Sequence, residues 1–177
     1  MKYLVASDIH GSLYYANKII EHFINMNADK LILLGDLYYH GPRNPLPKDY
    51  NPMEVSKKLN QIKDKLMVIK GNCDAEVDEM ISDFSFEDYI NLKINNKTFY
   101  FTHGHHNNID NIPRNIDVLV YGHFHTGFIK EKDGVLCINS GSVSLPKNNT
   151  AHSFLIITDE LIELRDIENN IIEKSKF

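Results

Sequence analysis

Short apolar runs in this chain stop, again and again, at residues that bind metals. The first, Tyr3-Leu4-Val5-Ala6, breaks at Ser7 into Asp8-Ile9-His10-Gly11. An apolar run bounded by a turn signal reads as a buried strand. Side chains along a strand repeat every two residues, so Asp8 and His10 are expected on one face. One carboxylate and one imidazole do not complete a metal site, so the rest of the fold must bring further ligands to this strand end.

Four later runs end in the same way. Lys30 to Leu34 meets Gly35-Asp36, Lys65 to Lys70 meets Gly71-Asn72-Cys73-Asp74, Lys97 to Thr102 meets His103-Gly104-His105, and Asp117 to Tyr121 meets Gly122-His123-Phe124-His125. In the first half these strands alternate with helices. Ser12 caps a helix over 13–25, with Ala16, Ile19, Ile20, Phe23 and Ile24 at helical spacing, and Asn51-Pro52 opens a second, reaching about Ile62. A short helix follows over 76–82. Strand-helix alternation predicts a parallel sheet.

From Asp88 onward the pattern is of hairpins, with turns at Asn95-Asn96 and Asp133-Gly134. Strands are expected over 128–132, 135–139, 153–158 and 161–167, and the tail from Asn169 adds an edge strand or frays. No repeat, low-complexity tract or linker divides the chain. The two halves predict one domain over 1–177, an α/β sandwich of two sheets packed face to face with helices outside. Ligands of open α/β sheets gather at the carboxyl ends of strands, where Asp8, His10, Asp36, Asn72, His103, His123 and His125 all lie.

Charge and cysteine usage narrow the function. A formal net charge of -5 and the absence of a Lys/Arg cluster argue against an extended nucleic-acid surface. An acidic protein can still act on phosphate esters when divalent metals bring positive charge to the site. Cys73 and Cys137 form no disulfide framework, which suits the cytoplasm. No apolar run suits a signal peptide or approaches the ~20 residues of a membrane helix. Oxygen and imidazole ligands without thiolate suit Mn, Fe, Zn, Co or Ni, and seven of them are more than one ion needs.

The ordered series Asp8-x-His10, Gly35-Asp36, Gly71-Asn72-x-Asp74, His103-Gly104-His105 and Gly122-His123-x-His125 resembles the calcineurin-like metallophosphoesterase superfamily. The runs His40-Gly41-Pro42-Arg43-Asn44, Asn72-Cys73-Asp74-Ala75-Glu76 and Gly141-Ser142-Val143-Ser144-x-Pro146-Lys147 resemble its small bacterial YfcE-type phosphodiesterases. The resemblance implies a four-layer αββα metallophosphoesterase fold, with Asp8, His10 and His125 on one ion, Asn72, His103 and His123 on the other, and Asp36 bridging. It also implies hydrolysis of a small phosphate ester by a hydroxide activated between two divalent ions, Mn2+ foremost, with Ni2+, Co2+, Zn2+, Fe2+ or Mg2+ as alternatives. Monoester or cyclic-nucleotide hydrolysis at the same metals, or a protein-binding scaffold of the retromer-subunit type, are the competing functions.

Other residues carry weaker signals. Arg43 and His40 are expected to reach the phosphate from the long proline-rich segment 37–50, a role that suits the planar guanidinium. Cys73 stands where the wider superfamily has a histidine that assists the leaving group, and a thiol is a poor substitute for imidazolium. His105 and His106 sit close enough to His103 to touch substrate, whereas His22, His152 and Cys137 read as ordinary structural residues. Partner contacts and oligomeric state have no sequence signal beyond the possibility of a homo-oligomer.

Overall fold

The computed structural model describes residues 1–177. Three strand-helix steps come first: β1 (Tyr3–Ala6), α1 (Leu13–Asn25), β2 (Lys30–Leu33), α2 (Pro52–Asn60), β3 (Leu66–Val68) and α3 (Glu76–Met80). Eight strands follow: β4 (Tyr89–Ile94), β5 (Lys97–Thr102), β6 (Val118–Tyr121), β7 (Phe128–Lys132), β8 (Val135–Asn139), β9 (Ser153–Ile157), β10 (Ile162–Asp166) and β11 (Ile171–Ser175). The side chains of Ser12 and Asn51 accept the N–H groups of Tyr15 and Glu54, so both long helices start where their caps stand.

The strands form two mixed sheets, ordered β11-β10-β9-β1-β2-β3 and β4-β5-β6-β8-β7. In the first, β1, β2 and β3 run parallel and β9 joins β1 antiparallel, Tyr3 opposite Ile157. The two halves of the chain therefore do not take one sheet each, because residues 153–175 return to complete the first. The tail forms β11, an edge strand, paired with β10 through a register shift at Leu164/Arg165. No helix is long and apolar enough to cross a membrane.

Alternation along β1 and β2 explains why both are apolar at almost every position. Tyr3, Val5, Ile32 and Leu34 face the second sheet and pack with Phe99, Phe101, Val118, Val120 and Ile138. Leu4, Ala6, Leu31 and Leu33 face the other way, onto Ala16, Ile19 and Phe23 of α1 and Val55 and Leu59 of α2. The outer face of the second sheet, Leu119, Tyr121 and Cys137, is covered by Ile109, Ile112 and Ile116. No helix lies there, in contrast to the flanking helices expected from the sequence. Pro113 cannot donate an interior helical bond, and the amides of Asn108 and Asn111 donate instead to the carbonyls of Gly104 and His106. His22 stacks on Phe154 and His152 on Tyr15, both as parts of the packing.

Phe99 is fully buried between the sheets and meets the Phe177 ring edge-on at 4.8 Å, so it also anchors the C-terminus. Phe99→Ala is expected to lose ~3–5 kcal/mol of stability, while Ile172→Ala on the exposed edge strand stays within ~0.5 kcal/mol. Urea unfolding checks both, with a lower midpoint and an unchanged slope expected for Phe99→Ala.

Candidate metal centre

Strand pleating does not align Asp8 with His10 as the sequence suggested, because β1 stops at Ala6. Both residues lie beyond it in left-handed backbone, at φ 58° and 50°, and Asp36, His123 and His125 share that conformation at 56°, 64° and 60°. A residue with a Cβ is held there only when its surroundings over-determine it. The surroundings do so through the backbone: Asp8, His10 and Gly11 donate their N–H groups to the carbonyls of Gly35, Asp36 and Leu37, continuing the β1–β2 contact past both strands. The hydroxyls of Ser142 and Ser144 both donate to the Asp8 carbonyl at 2.8 Å.

Asp74 clamps the next two strand ends. Its buried carboxylate accepts the N–H groups of Asp36, Leu37 and Gly71 at 2.8, 2.8 and 2.7 Å. Burial pushes its carboxyl up to about 6 despite those three donors, which leaves it ionised at neutral pH. Gly71 is required at this point, since a Cβ there would run into the Asp36 carboxylate.

The seven residues from five strand ends converge. His10 Nε2 lies 3.2 Å from His125 Nε2 and 3.7 Å from both Asp8 Oδ1 and Asp36 Oδ2. His125 Nε2 is 3.2 Å from Asp8 Oδ1. On the other side, His103 Nε2 is 3.4 Å from Asp36 Oδ1, 3.0 Å from Asn72 Oδ1 and 3.2 Å from His123 Nδ1. Asp36 turns one carboxylate oxygen towards each group.

Hydrogen bonding fixes the imidazole tautomers. The Nδ1 atoms of His10, His125 and His103 face the carbonyls of Tyr39, Leu145 and Leu34 at 2.6 to 2.7 Å. A carbonyl only accepts, so each Nδ1 carries the hydrogen, and a ring with no second proton presents a lone pair from Nε2. Two such lone pairs then face each other at 3.2 Å between His10 and His125, while His103 Nε2 lies against the Asn72 carbonyl oxygen. Asp8 Oδ1, fully buried, accepts no hydrogen bond. Facing lone pairs and an orphaned carboxylate oxygen repel one another unless a cation lies among them, so the donor set fits divalent metal ions.

Electrostatics points the same way. Burial raises the Asp8 carboxyl, but the imidazoles of His125, His103 and His10 gathered round it hold it well below the usual carboxylate range. Burial lowers the His103 imidazolium, yet the hydrogen bond to Asp36 and the charges of Asp8 and Asp36 push it up to about 9. A proton on His103 thus stands in for the positive charge the two buried carboxylates demand.

A cleft of about 550 Å³ opens over the ligands, lined by Asp36, Asn72, His123 and His125 together with Arg43, Cys73 and Lys147. His40 does not line it: its ring packs against Tyr39 and Tyr50, and its backbone carbonyl accepts from the Asn44 side chain. Its expected reach to the phosphate is therefore replaced by support of the loop that carries Arg43. Lys147 was missed as a site residue, although the run that ends in it stood out; its N–H donates to the His125 carbonyl, tying it to a ligand turn. Burial and the nearby Asp36 charge push the Cys73 thiol up to about 12, so it is uncharged at neutral pH. His105 faces away from this cleft, into a neighbouring cavity it shares with His106.

Residues 1–160 match the calcineurin-like phosphoesterase superfamily domain. The chain is 36% identical to the phosphodiesterase YfcE of Escherichia coli over 93% of its length and 91% of that protein's, and the solved structure of that phosphoesterase superposes with a TM-score of 0.96, covering 99% of each chain. A phosphodiesterase of Methanocaldococcus jannaschii is 30% identical over 80% of this chain and 83% of its own. The structure of Vacuolar Protein Sorting 29 from Cryptosporidium parvum, at 19% identity and TM-score 0.66 over 99% of this chain and 97% of that one, shares the fold alone. A domain match over most of the length, joined to relatives at this identity, places the chain in the calcineurin-like phosphoesterase superfamily.

Proposed function

We propose that the protein hydrolyses a phosphate diester at two divalent metal ions, Mn2+ foremost, one held by Asp8, His10 and His125, the other by Asn72, His103 and His123, with Asp36 between them. The observation that supports this reading is the crowding of imidazole nitrogens and carboxylate oxygens that bound cations would reconcile, split into two groups by the two oxygens of Asp36. Ions bound there supply the positive charge that acidifies a water and neutralises the phosphoryl oxygens. The overall change is one water consumed and one P–O ester bond broken, giving a phosphomonoester and an alcohol.

The protein's own groups orient and stabilise. Arg43 and Lys147 bring two cations to the cleft wall, where a phosphodiester's negative charge must rest. The Cys73 N–H donates to Asp36 Oδ1 at 2.8 Å and keeps that carboxylate turned between the two groups. The Cys73 thiol, protonated at neutral pH, offers a hydrogen bond to a leaving oxygen but is too weak an acid for efficient proton transfer. The diester reading is favoured over a monoester by the named activity of both phosphodiesterase relatives. A scaffold role is disfavoured, since every one of the seven ligand positions keeps a ligand-type side chain.

Two measurements test this. Calorimetry on chelator-treated protein should find two Mn2+ ions per chain, and saturation at ~100 times Kd should add ~2.7 kcal/mol of stability; Asp36→Asn should lose at least one ion, and unaltered binding by that variant counts against the bridging role. Among methyl aryl and dialkyl phosphates, replacing a nitrophenolate leaving group by an alkoxide should lower kcat by ~10²-fold or more, the range a general acid would otherwise supply. A flat dependence would mean that a proton donor acts in the cleft.

A further inference from the structure

A second cavity, of about 490 Å³, lies beside the proposed ligand cluster. Gly71, Thr102 and His105 form part of its wall. Gly71 directly precedes Asn72, and Thr102 directly precedes His103. The His105 ring centroid is 5.3 Å from that of His103 and 6.2 Å from that of His123. The second recess thus borders residues that surround the reacting phosphorus in the proposed function.

Their linings differ in chemistry. The first presents the cations Arg43 and Lys147; the second presents the aromatic side chains of Tyr89 and Tyr100 with His105, His106 and Asp88, and its one lysine, Lys70, is already paired with Glu79 at 2.8 Å. Tyr89 and Tyr100 stack with centroids 5.0 Å apart and planes 13° from parallel, on the face of β4 and β5 opposite the core residues Phe99 and Phe101. Tyr100 packs against the outer cluster of Leu119, Tyr121 and Cys137, whereas Tyr89 is 51% exposed, so its ring is not there to fill a core. The Tyr100 hydroxyl donates to Asn107 Oδ1, which puts the Asn107 side chain at the hydroxyl edge of the stack, with one of its amide hydrogens directed to the Asn111 carbonyl and the other free. Flat aromatic surface with an amide edge next to it is the arrangement that receives planar heteroaromatic groups by stacking and edge hydrogen bonds.

We propose that this second cavity receives one of the two ester substituents of the diester and selects a planar aromatic one, a nucleobase in preference to a simple aryl ring, by stacking against the Tyr89–Tyr100 pair. The assignment rests on the diester reading, since a diester has a second substituent to place and a monoester does not. The phosphorus then lies over the metal ligands with one substituent to either side.

The test compares three 4-nitrophenyl phosphodiesters, the thymidine 5′, phenyl and methyl esters, on Mn2+-loaded protein, so that the leaving group is constant. KM is expected to be about tenfold lower for the thymidine ester than for the methyl ester, with the phenyl ester between them. Tyr89→Ala should bring the three KM values together, and Tyr89→Phe, which keeps the ring face, should restore their order. Equal KM values in the wild type, or a tenfold ratio that survives Tyr89→Ala, overturn the subsite while leaving diester hydrolysis standing. An aryl ester equal to the thymidine ester overturns the nucleobase preference. Should none of the three esters be cleaved, the diester reading fails, and calorimetry with thymidine 5′-phosphate decides the cavity separately: binding about tenfold weaker in Tyr89→Ala supports it, and identical binding overturns it.

Discussion

Two carboxylates without bulk water have to be balanced, and Asp8 and Asp36, at most 2% exposed, lie where both sheets end. Ionised carboxyls left unpaired in such surroundings are costly by several kcal/mol each. The local architecture answers that demand. Amide donors from Cys73 and His123 reach Asp36 Oδ1 and Asp8 Oδ2, and imidazoles from three separate turns close round them. The strands that deliver these groups come from both sheets, so the face-to-face packing of apolar layers and the polar cluster at their rim depend on one another. A shift of one sheet over the other would leave a buried charge unpaired.

Much of this was legible in the sequence, for identifiable reasons. Burial on both faces made β1 and β2 continuous apolar runs, and the caps Ser12 and Asn51 marked the helix starts. The candidate ligands could be picked out because each follows a strand, and a strand end is a feature of local pattern. What the pattern could not supply was their orientation. Asp8 and His10 are aligned by left-handed turns held by Ser142, Ser144 and the Gly35–Leu37 backbone, contacts more than 20 residues away in sequence. The lining of the cleft was less legible for the same reason. His40 and Arg43 are neighbours in one loop, yet that loop's path turns the imidazole to Tyr50 and leaves the guanidinium at the cleft. Lys147 arrives from the opposite end of the chain, and no local signal joins it to Arg43.

The net charge of -5 and an anionic substrate oppose one another only at long range. Within a Debye length of about 8 Å the substrate meets the local charge of the site. The two divalent ions proposed there would formally add four positive charges, and Arg43 and Lys147 line the cleft. With ions bound, charge would be arranged by depth: acidic over the molecule as a whole and positive where a single phosphoryl group is to be held.

The left-handed conformations of five of the seven proposed ligand positions bear on how the site keeps its shape. Each costs on the order of 1 kcal/mol or more for a residue with a Cβ. A site assembled by the ion alone would relax those backbones whenever the ion left. Here the clamps are independent of any ion: Asp74 accepts three amides across the β2 and β3 ends, two serine hydroxyls hold the Asp8 carbonyl, and glycines at 71 and 122 give the turns room to touch. Because these bonds are made by the protein to itself, the ligand geometry is a property of the fold, and metal binding can spend its free energy on the charge imbalance between Asp8 and Asp36 rather than on ordering the chain.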